Sequence, residues 1–201
     1  MQSKDHWEKI YQTKEINGVS WYQETPSESL NLIQSVAKNK DKKIIDIGCG
    51  KGYLADNLIN LGFNNLTLLD ISRNALAEIK NRVKSKSINY VESDILNFND
   101  NYNYDIWHDR AVFHFLTIES EKIRYKEIAA KKINTGGHLI IGTFAEDGPL
   151  KCSGLEISRY SIDDLKRFFS KDFTFIESHK ILHNTPFDTI QKFNFCIFKK
   201  L

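Results

Sequence analysis

The chain is poor in the features that define several broad protein classes. Its cysteines, Cys49, Cys152 and Cys196, are odd in number and far apart, which is no disulfide framework and fits a reducing compartment. Only three prolines occur, with no low-complexity tract and no internal repeat, so nothing marks an interdomain linker. No apolar run approaches the ~18 residues that a membrane helix needs. The polar start, from Met1 to Trp7, lacks the apolar core of a secretory signal. A formal net charge of +2 gives no electrostatic case for nucleic acid or an acidic membrane. The six histidines show no metal-ligand spacing with cysteines or acids, so no metal site is expected. These exclusions leave a soluble cytoplasmic domain, 201 residues long and 41% hydrophobic, large enough for one real core.

What is present is concentrated at residues 44–52, Ile-Ile-Asp-Ile-Gly-Cys-Gly-Lys-Gly. An apolar run stops at a glycine-dense turn and a helical pattern begins directly after it, the device by which α/β proteins build a nucleotide-sized pocket. Asp70 closes a second apolar run about twenty residues on, where such folds hold a ribose. From Lys43 onward strands and helices alternate. Strands are predicted over 44–47, 66–70, 89–91, 104–107 and 138–143, and helices over 53–61, 74–83 (capped by Ser72) and 119–133. Such alternation predicts a Rossmann-like, mostly parallel sheet with helices on both faces. A helix over 162–169 then precedes two β-type runs, 173–178 and 193–199, with no crossover helix between them. These must pair antiparallel, giving a seven-stranded mixed sheet that ends in a C-terminal hairpin. The chain therefore reads as one domain: residues 1–40 as a lid and first helix, 43–144 as the cofactor-binding core, 145–201 as the acceptor side and hairpin. Within the first part, Thr25 is expected to cap a helix that has Pro26 at its first position.

The glycines are spaced G-x-G-x-G at 48, 50 and 52, whereas dinucleotide enzymes use G-x-G-x-x-G to cradle a pyrophosphate. Asp46, two residues before the first glycine, would repel a diphosphate and suit a ligand bearing an ammonium group. That disfavours NAD and favours S-adenosylmethionine, which has a zwitterionic end and a positive sulfonium.

These residues, with Leu-Leu-Asp at 68–70 and Glu-Ser-Asp at 92–94, resemble the class I S-adenosylmethionine-dependent methyltransferases. Trp-His-Asp-Arg-Ala-Val-Phe-His-Phe-Leu-Thr at 107–117 is similar to a subgroup of small bacterial methyltransferases. His-Trp-Glu-Lys-Ile-Tyr at 6–11 resembles the opening of that subgroup and of related protein-lysine methyltransferases. The resemblance implies that Asp46 and the amides around Gly48, Cys49 and Gly50 hold the methionine moiety. Asp70 would accept from both ribose hydroxyls, with Ile71 flanking the adenine. Asp94 would accept from the adenine amino group, with Ser93 beside it and Ile95 packing on the ring. His108 would sit beside the reacting centre. No Asn/Asp-Pro-Pro-Tyr/Phe element follows the fourth strand, which lowers the case for methylation of nucleic-acid bases.

His108 and Asp109 leave the strand end nearest the methyl and are the expected acid/base or acceptor-positioning pair. His114, inside an apolar run, is expected to be a core histidine. Trp7, Tyr11, Trp21 and Tyr22 make an aromatic start suited to a lid over a sulfonium, with Tyr11 and Trp21 closest to the cofactor. The loop over 144–155, with Arg159, Tyr160 and Ser161, is expected on the acceptor side, and Glu146, Asp147 and Glu156 could attract a lysine. The leading reading is methyl transfer to a small molecule by a monomer or weak dimer, without nucleic-acid or membrane partners. A protein lysine is the alternative acceptor. A non-catalytic cofactor-binding subunit and an NAD-dependent oxidoreductase are the readings from other classes.

Overall fold

The structure, a computed structural model, describes residues 4–201; Met1, Gln2 and Ser3 of the polar start lie outside the described residues. Two helices open the chain, α1 (Lys4–Thr13) and α2 (Ser27–Val36). There follow β1 (Ile44–Ile47), α3 (Leu54–Asn60), β2 (Leu66–Asp70), α4 (Arg73–Arg82), β3 (Ile88–Glu92) and β4 (Tyr104–Arg110). Then come α5 (Glu119–Lys132), β5 (Ile133–Phe144), the two-residue strands β6 (Lys151–Cys152) and β7 (Leu155–Glu156), and α6 (Ile162–Phe169). A long hairpin, β8 (Phe173–Asn184) and β9 (Ile190–Lys200), ends the chain.

Seven strands form one sheet in the order β3-β2-β1-β4-β5-β9-β8. The first five pair parallel, and β9 runs antiparallel to both β5 and β8. This is the mixed, Rossmann-like sheet that the sequence predicts. β6 and β7 pair with each other outside it; runs so short carry no period to read. Every residue of β1 and β2 is buried, as continuous apolar strands covered on both faces must be.

Alternation along the strands divides the core in two. Ile44, Ile106 and Ile140 face a cluster with Leu30 and Ile33 of α2 and Leu58 of α3. Ile45, Trp107 and Ile141 face the other, with Tyr125 of α5 and Leu165 and Phe169 of α6. No helix among the described residues is long and apolar enough to cross a membrane.

Two local expectations change. The N-cap of α2 is Pro26, with no side-chain capping bond, so Thr25 does not cap it. Proline fixes a φ compatible with helix entry and has no amide to satisfy, which lessens the need for a capping oxygen. More consequentially, β4 runs three residues beyond its predicted end at 107, through His108 and Asp109 to Arg110. The polar residues there look like a loop but pair in register with β5, His108 against Ile140 and Arg110 against Gly142. Ser72 does cap α4, its side chain accepting from the Ala75 amide.

Candidate active site

At the carboxyl ends of β1, β2 and β4 lies a cleft with about 1470 Å³ of non-atom space, counting its open mouth. Asp46, Gly48, Cys49 and Gly50 line it from the β1 turn; Asp70 and Ile71 do so from the end of β2. Ser93 and Ile95 line it after β3, His108 from β4, and Tyr11 and Trp21 from the N-terminal segment.

The glycine turn is built around positive φ angles, +64° at Gly48 and +54° at Gly50. A Cβ on Gly48 would lie 2.1 Å from the Val112 side chain, and one on Gly50 2.6 Å from the Tyr11 hydroxyl. Only glycine lets the chain turn this tightly against Val112 and Tyr11. The turn then ties to β2: the Gly50 amide donates to Asp70 Oδ2 and the Ser72 amide to Oδ1, both at 2.8 Å. Burial dominates the Asp70 carboxyl and pushes it up to about 6, with the two amides acting in the opposite direction. Each oxygen keeps a further lone pair for a ligand hydroxyl.

Asp46 is buried, and its Oδ1 lies 2.7 Å from His108 Nδ1. Register places the two side by side, since Asp46 pairs with His108 across β1 and β4. The other ring nitrogen, Nε2, lies 2.9 Å from Ser29 Oγ on α2. With Nδ1–H donating to the carboxylate, Nε2 accepts from the serine hydroxyl. Both nitrogens of His108 are therefore engaged, and the ring holds Asp46 in a fixed orientation. Asp46 Oδ2 has no hydrogen bond among the described residues, and the residue lines the cleft. Ser29 was not anticipated. Its signal is a polar residue one turn before Ile33, on the apolar stripe of an amphipathic helix.

Asp109 needs correction. It is fully buried, absent from the cleft lining, and bonded on the opposite face of the sheet. Its Oδ2 accepts from the Tyr125 hydroxyl at 2.6 Å, and its carboxylate from the Val112 and Phe113 amides. Adjacent residues of a strand point to opposite faces, so His108 and Asp109 cannot both face the cofactor while β4 extends through them. Asp94 also lies outside the lining; its carboxylate accepts from the Leu96 amide and starts a short 3₁₀ turn. His114 is buried, as expected, and burial beside Arg110 pushes it down to about 3, leaving it neutral.

The N-terminal segment is held at several points. Trp7 stacks on Tyr11 and meets Trp21 and Phe115 edge-on. Glu8 of α1 accepts from the Ser72 hydroxyl and the Arg73 amide at 2.8 Å each, docking α1 onto the start of α4. An acid at a helix N-terminus is favoured by the unpaired amides and the dipole there; no local pattern in α1 indicates it. Farther along, His183 Nε2 donates to the Ser20 carbonyl at 2.7 Å and Arg110 to that of Trp21 at 3.0 Å.

Of the loop expected on the acceptor side, Phe144 and Cys152 line the cleft. Burial pushes the Cys152 thiol up to about 12, so it stays protonated and unreactive. Arg159, Tyr160 and Ser161 lie elsewhere: Tyr160 packs on Phe113, and Ser161 forms a reciprocal capping box with Asp164 at α6. Glu146, Asp147 and Glu156 pair with Lys180, Lys192 and Lys151.

Comparison with known proteins agrees with this geometry. A family profile described as a methyltransferase domain matches residues 38–193. The mouse eEF1A lysine and N-terminal methyltransferase is 24% identical over 144 residues, 70% of this chain and 20% of that protein. A mitochondrial ubiquinone biosynthesis O-methyltransferase of Dictyostelium discoideum is 30% identical over 115 residues, half of this chain and 34% of the relative. The chain thus spans only a fifth to a third of the length of these two curated relatives. Among solved structures, the N-methyltransferase NodS of Bradyrhizobium japonicum, in complex with S-adenosyl-L-homocysteine, superposes with a TM-score of 0.75. That likeness covers 98% of this chain and 99% of NodS at 16% identity, and it concerns the fold. With the profile covering most of the chain and the superposition nearly all of it, the chain belongs to the methyltransferase-domain family and has the fold of the class I S-adenosylmethionine-dependent methyltransferases.

Proposed function

We propose that the chain transfers a methyl group from S-adenosylmethionine to a small-molecule acceptor. The observation that carries this reading is the pair of buried carboxylates, Asp46 and Asp70, on either side of a pyrophosphate-incompatible glycine turn in one aromatic-lidded cleft. The free oxygen of Asp46 fits an ammonium, the second lone pairs of Asp70 fit ribose hydroxyls, and Trp7, Tyr11 and Trp21 supply aromatic surface for a sulfonium. S-adenosylmethionine supplies a methyl on a good leaving group: the acceptor's lone pair forms the new bond to carbon as the carbon–sulfur bond breaks. The protein's work is to hold the acceptor within about 3–3.5 Å on axis and exclude water. His108, with both ring nitrogens engaged, serves that end by orienting Asp46.

A small acceptor is favoured by how the N-terminal segment is fastened. Bonds from Arg110 and His183 secure Ser20 and Trp21 across the cleft, leaving little room for a polypeptide. The acids that could guide a lysine are already paired with lysines of the chain's own surface. The similarity to eEF1A lysine methyltransferases favours a protein acceptor instead, and opening of this lid is what that reading requires.

Calorimetry tests the donor. S-adenosylmethionine and S-adenosylhomocysteine are expected to bind in preference to NAD; the opposite order would overturn the reading. The pH dependence is a second check. A ligand that donates to ionised Asp70 competes with the proton that this carboxyl binds near pH 6. Affinity for S-adenosylhomocysteine should be level above that pH and fall by up to about tenfold per pH unit below it. An affinity unchanged down to pH 5 would remove Asp70 from the site.

A further inference from the structure

Arg110 is a half-buried cation with no counter-charge among the described residues. It ends β4 two residues beyond His108, so its side chain shares the cleft face of the sheet. It sits on the side of β5 and β9, away from Asp70. One guanidinium nitrogen, Nη1, donates to the Trp21 carbonyl at 3.0 Å, while Nη2 is buried without a hydrogen-bond partner among the described residues. No carboxylate among the described residues pairs with it: Asp46, an acid whose charge reaches it through space, is bonded to His108. Cys152, the other group it feels, is a protonated thiol. Desolvation pushes the guanidinium down to about 10, so it is still charged at neutral pH.

An unpaired charge with a desolvated donor is expensive, and a planar guanidinium with a free N–H group is matched by a carboxylate. The surroundings add to this. Phe193 lies under the guanidinium, 5.3 Å from its carbon to the ring centroid, and Phe144 and Trp21 line the same cleft. Gln191 also lines it, with Nε2 donating to Ser20 Oγ at 3.2 Å and Oε1 buried without a partner. Turning that amide over lets the serine donate to its oxygen and aims an NH₂ at the unpartnered position, a second donor for an anion.

We infer that Arg110 anchors a carboxylate subsite at the acceptor end of the cleft, and that the methyl acceptor is a small molecule with a carboxylate beside an apolar or aromatic body. The inference rests on the methyltransferase reading above. Arg110 is then a specificity-determining residue in a cleft where Asp46 and Asp70 serve the cofactor. A carboxylate could also come from the cofactor's own methionine end, and the test separates the two sources.

Benzoate, with benzamide as its uncharged counterpart, is the probe, titrated onto the protein saturated with S-adenosylhomocysteine and followed by tryptophan fluorescence. Benzoate should bind at least about tenfold more tightly than benzamide. Arg110→Gln should abolish that preference and change S-adenosylhomocysteine affinity by less than about threefold, and Arg110→Lys should restore part of it. Melting curves of both variants report whether they fold, and the lysine variant, which keeps the charge, carries the test if the glutamine variant does not. Equal binding of benzoate and benzamide by the wild type, or a preference that survives in Arg110→Gln, would overturn the inference. So would a tenfold or greater loss of S-adenosylhomocysteine affinity in that variant, which would assign Arg110 to the cofactor's carboxylate. A wild-type protein that binds no S-adenosylhomocysteine would instead be a failure of the methyltransferase reading itself.

Discussion

Asp46→Asn is expected to weaken S-adenosylmethionine binding by about a hundredfold with little change in folding. A carboxylate and an ammonium at ~4 Å interact by about 4 kcal/mol at an effective dielectric near 20. Some of that is lost to desolvating Asp46, and about 3 kcal/mol remains, which is about two orders of magnitude in affinity. Asparagine has the same shape, and its side-chain oxygen can still accept from His108 Nδ1–H, so the chain from Asp46 through His108 to Ser29 persists. Calorimetry with two ligands isolates the charge effect. 5′-Methylthioadenosine lacks the amino-acid end of the cofactor and should bind wild type and variant alike. Equal affinity of the two proteins for S-adenosylmethionine would mean that Asp46 does not meet the ammonium.

Asp109→Ala is expected to lower the melting temperature by roughly 6–12 °C while leaving cofactor affinity per folded molecule within about threefold. The substitution strands the Tyr125 hydroxyl and the Val112 and Phe113 amides in a dry interior. Each unpaired buried donor costs ~1–3 kcal/mol. Against that, burial holds the Asp109 carboxyl up at about 6, so its ionised form carries a penalty at neutral pH that the variant removes. A net loss of about 3 kcal/mol corresponds to the stated shift for a chain of this size. Normal melting combined with lost methyl transfer would return Asp109 to the reaction.

That second experiment bears on where the sequence misled. The motif at 107–117 identifies the end of the fourth strand but does not say where the strand stops. If it ended at 107, His108 and Asp109 would leave it together towards the cofactor. Because it continues to Arg110, strand geometry sends His108 and Arg110 to one face and Asp109 to the other. Polar residues in a strand's last turns do not look like strand, since their burial depends on partners far along the chain. Ser29, Glu8 and Gln191 were illegible for the same reason. Each acts across a long sequence separation: Ser29 on His108, Glu8 on the start of α4, and Gln191 on Ser20.

The sequence by itself determined the sheet, its closing hairpin and the glycine turn and β2 carboxylate that line the cleft. Those follow from local signals: apolar periodicity, a G-x-G-x-G turn that only glycine can make, and acids at strand ends, all set by backbone sterics over a few residues. The tertiary structure decided which polar groups share a face and which charges lack a partner. It bonded His108, expected to be an acid/base or acceptor-positioning group, to Asp46 and Ser29, placed Asp109 in the core, and left Arg110 half-buried with no carboxylate partner among the described residues. Register, strand length and the docking of the N-terminal segment fix those outcomes, because hydrogen bonding and desolvation depend on neighbours that only the folded chain brings together.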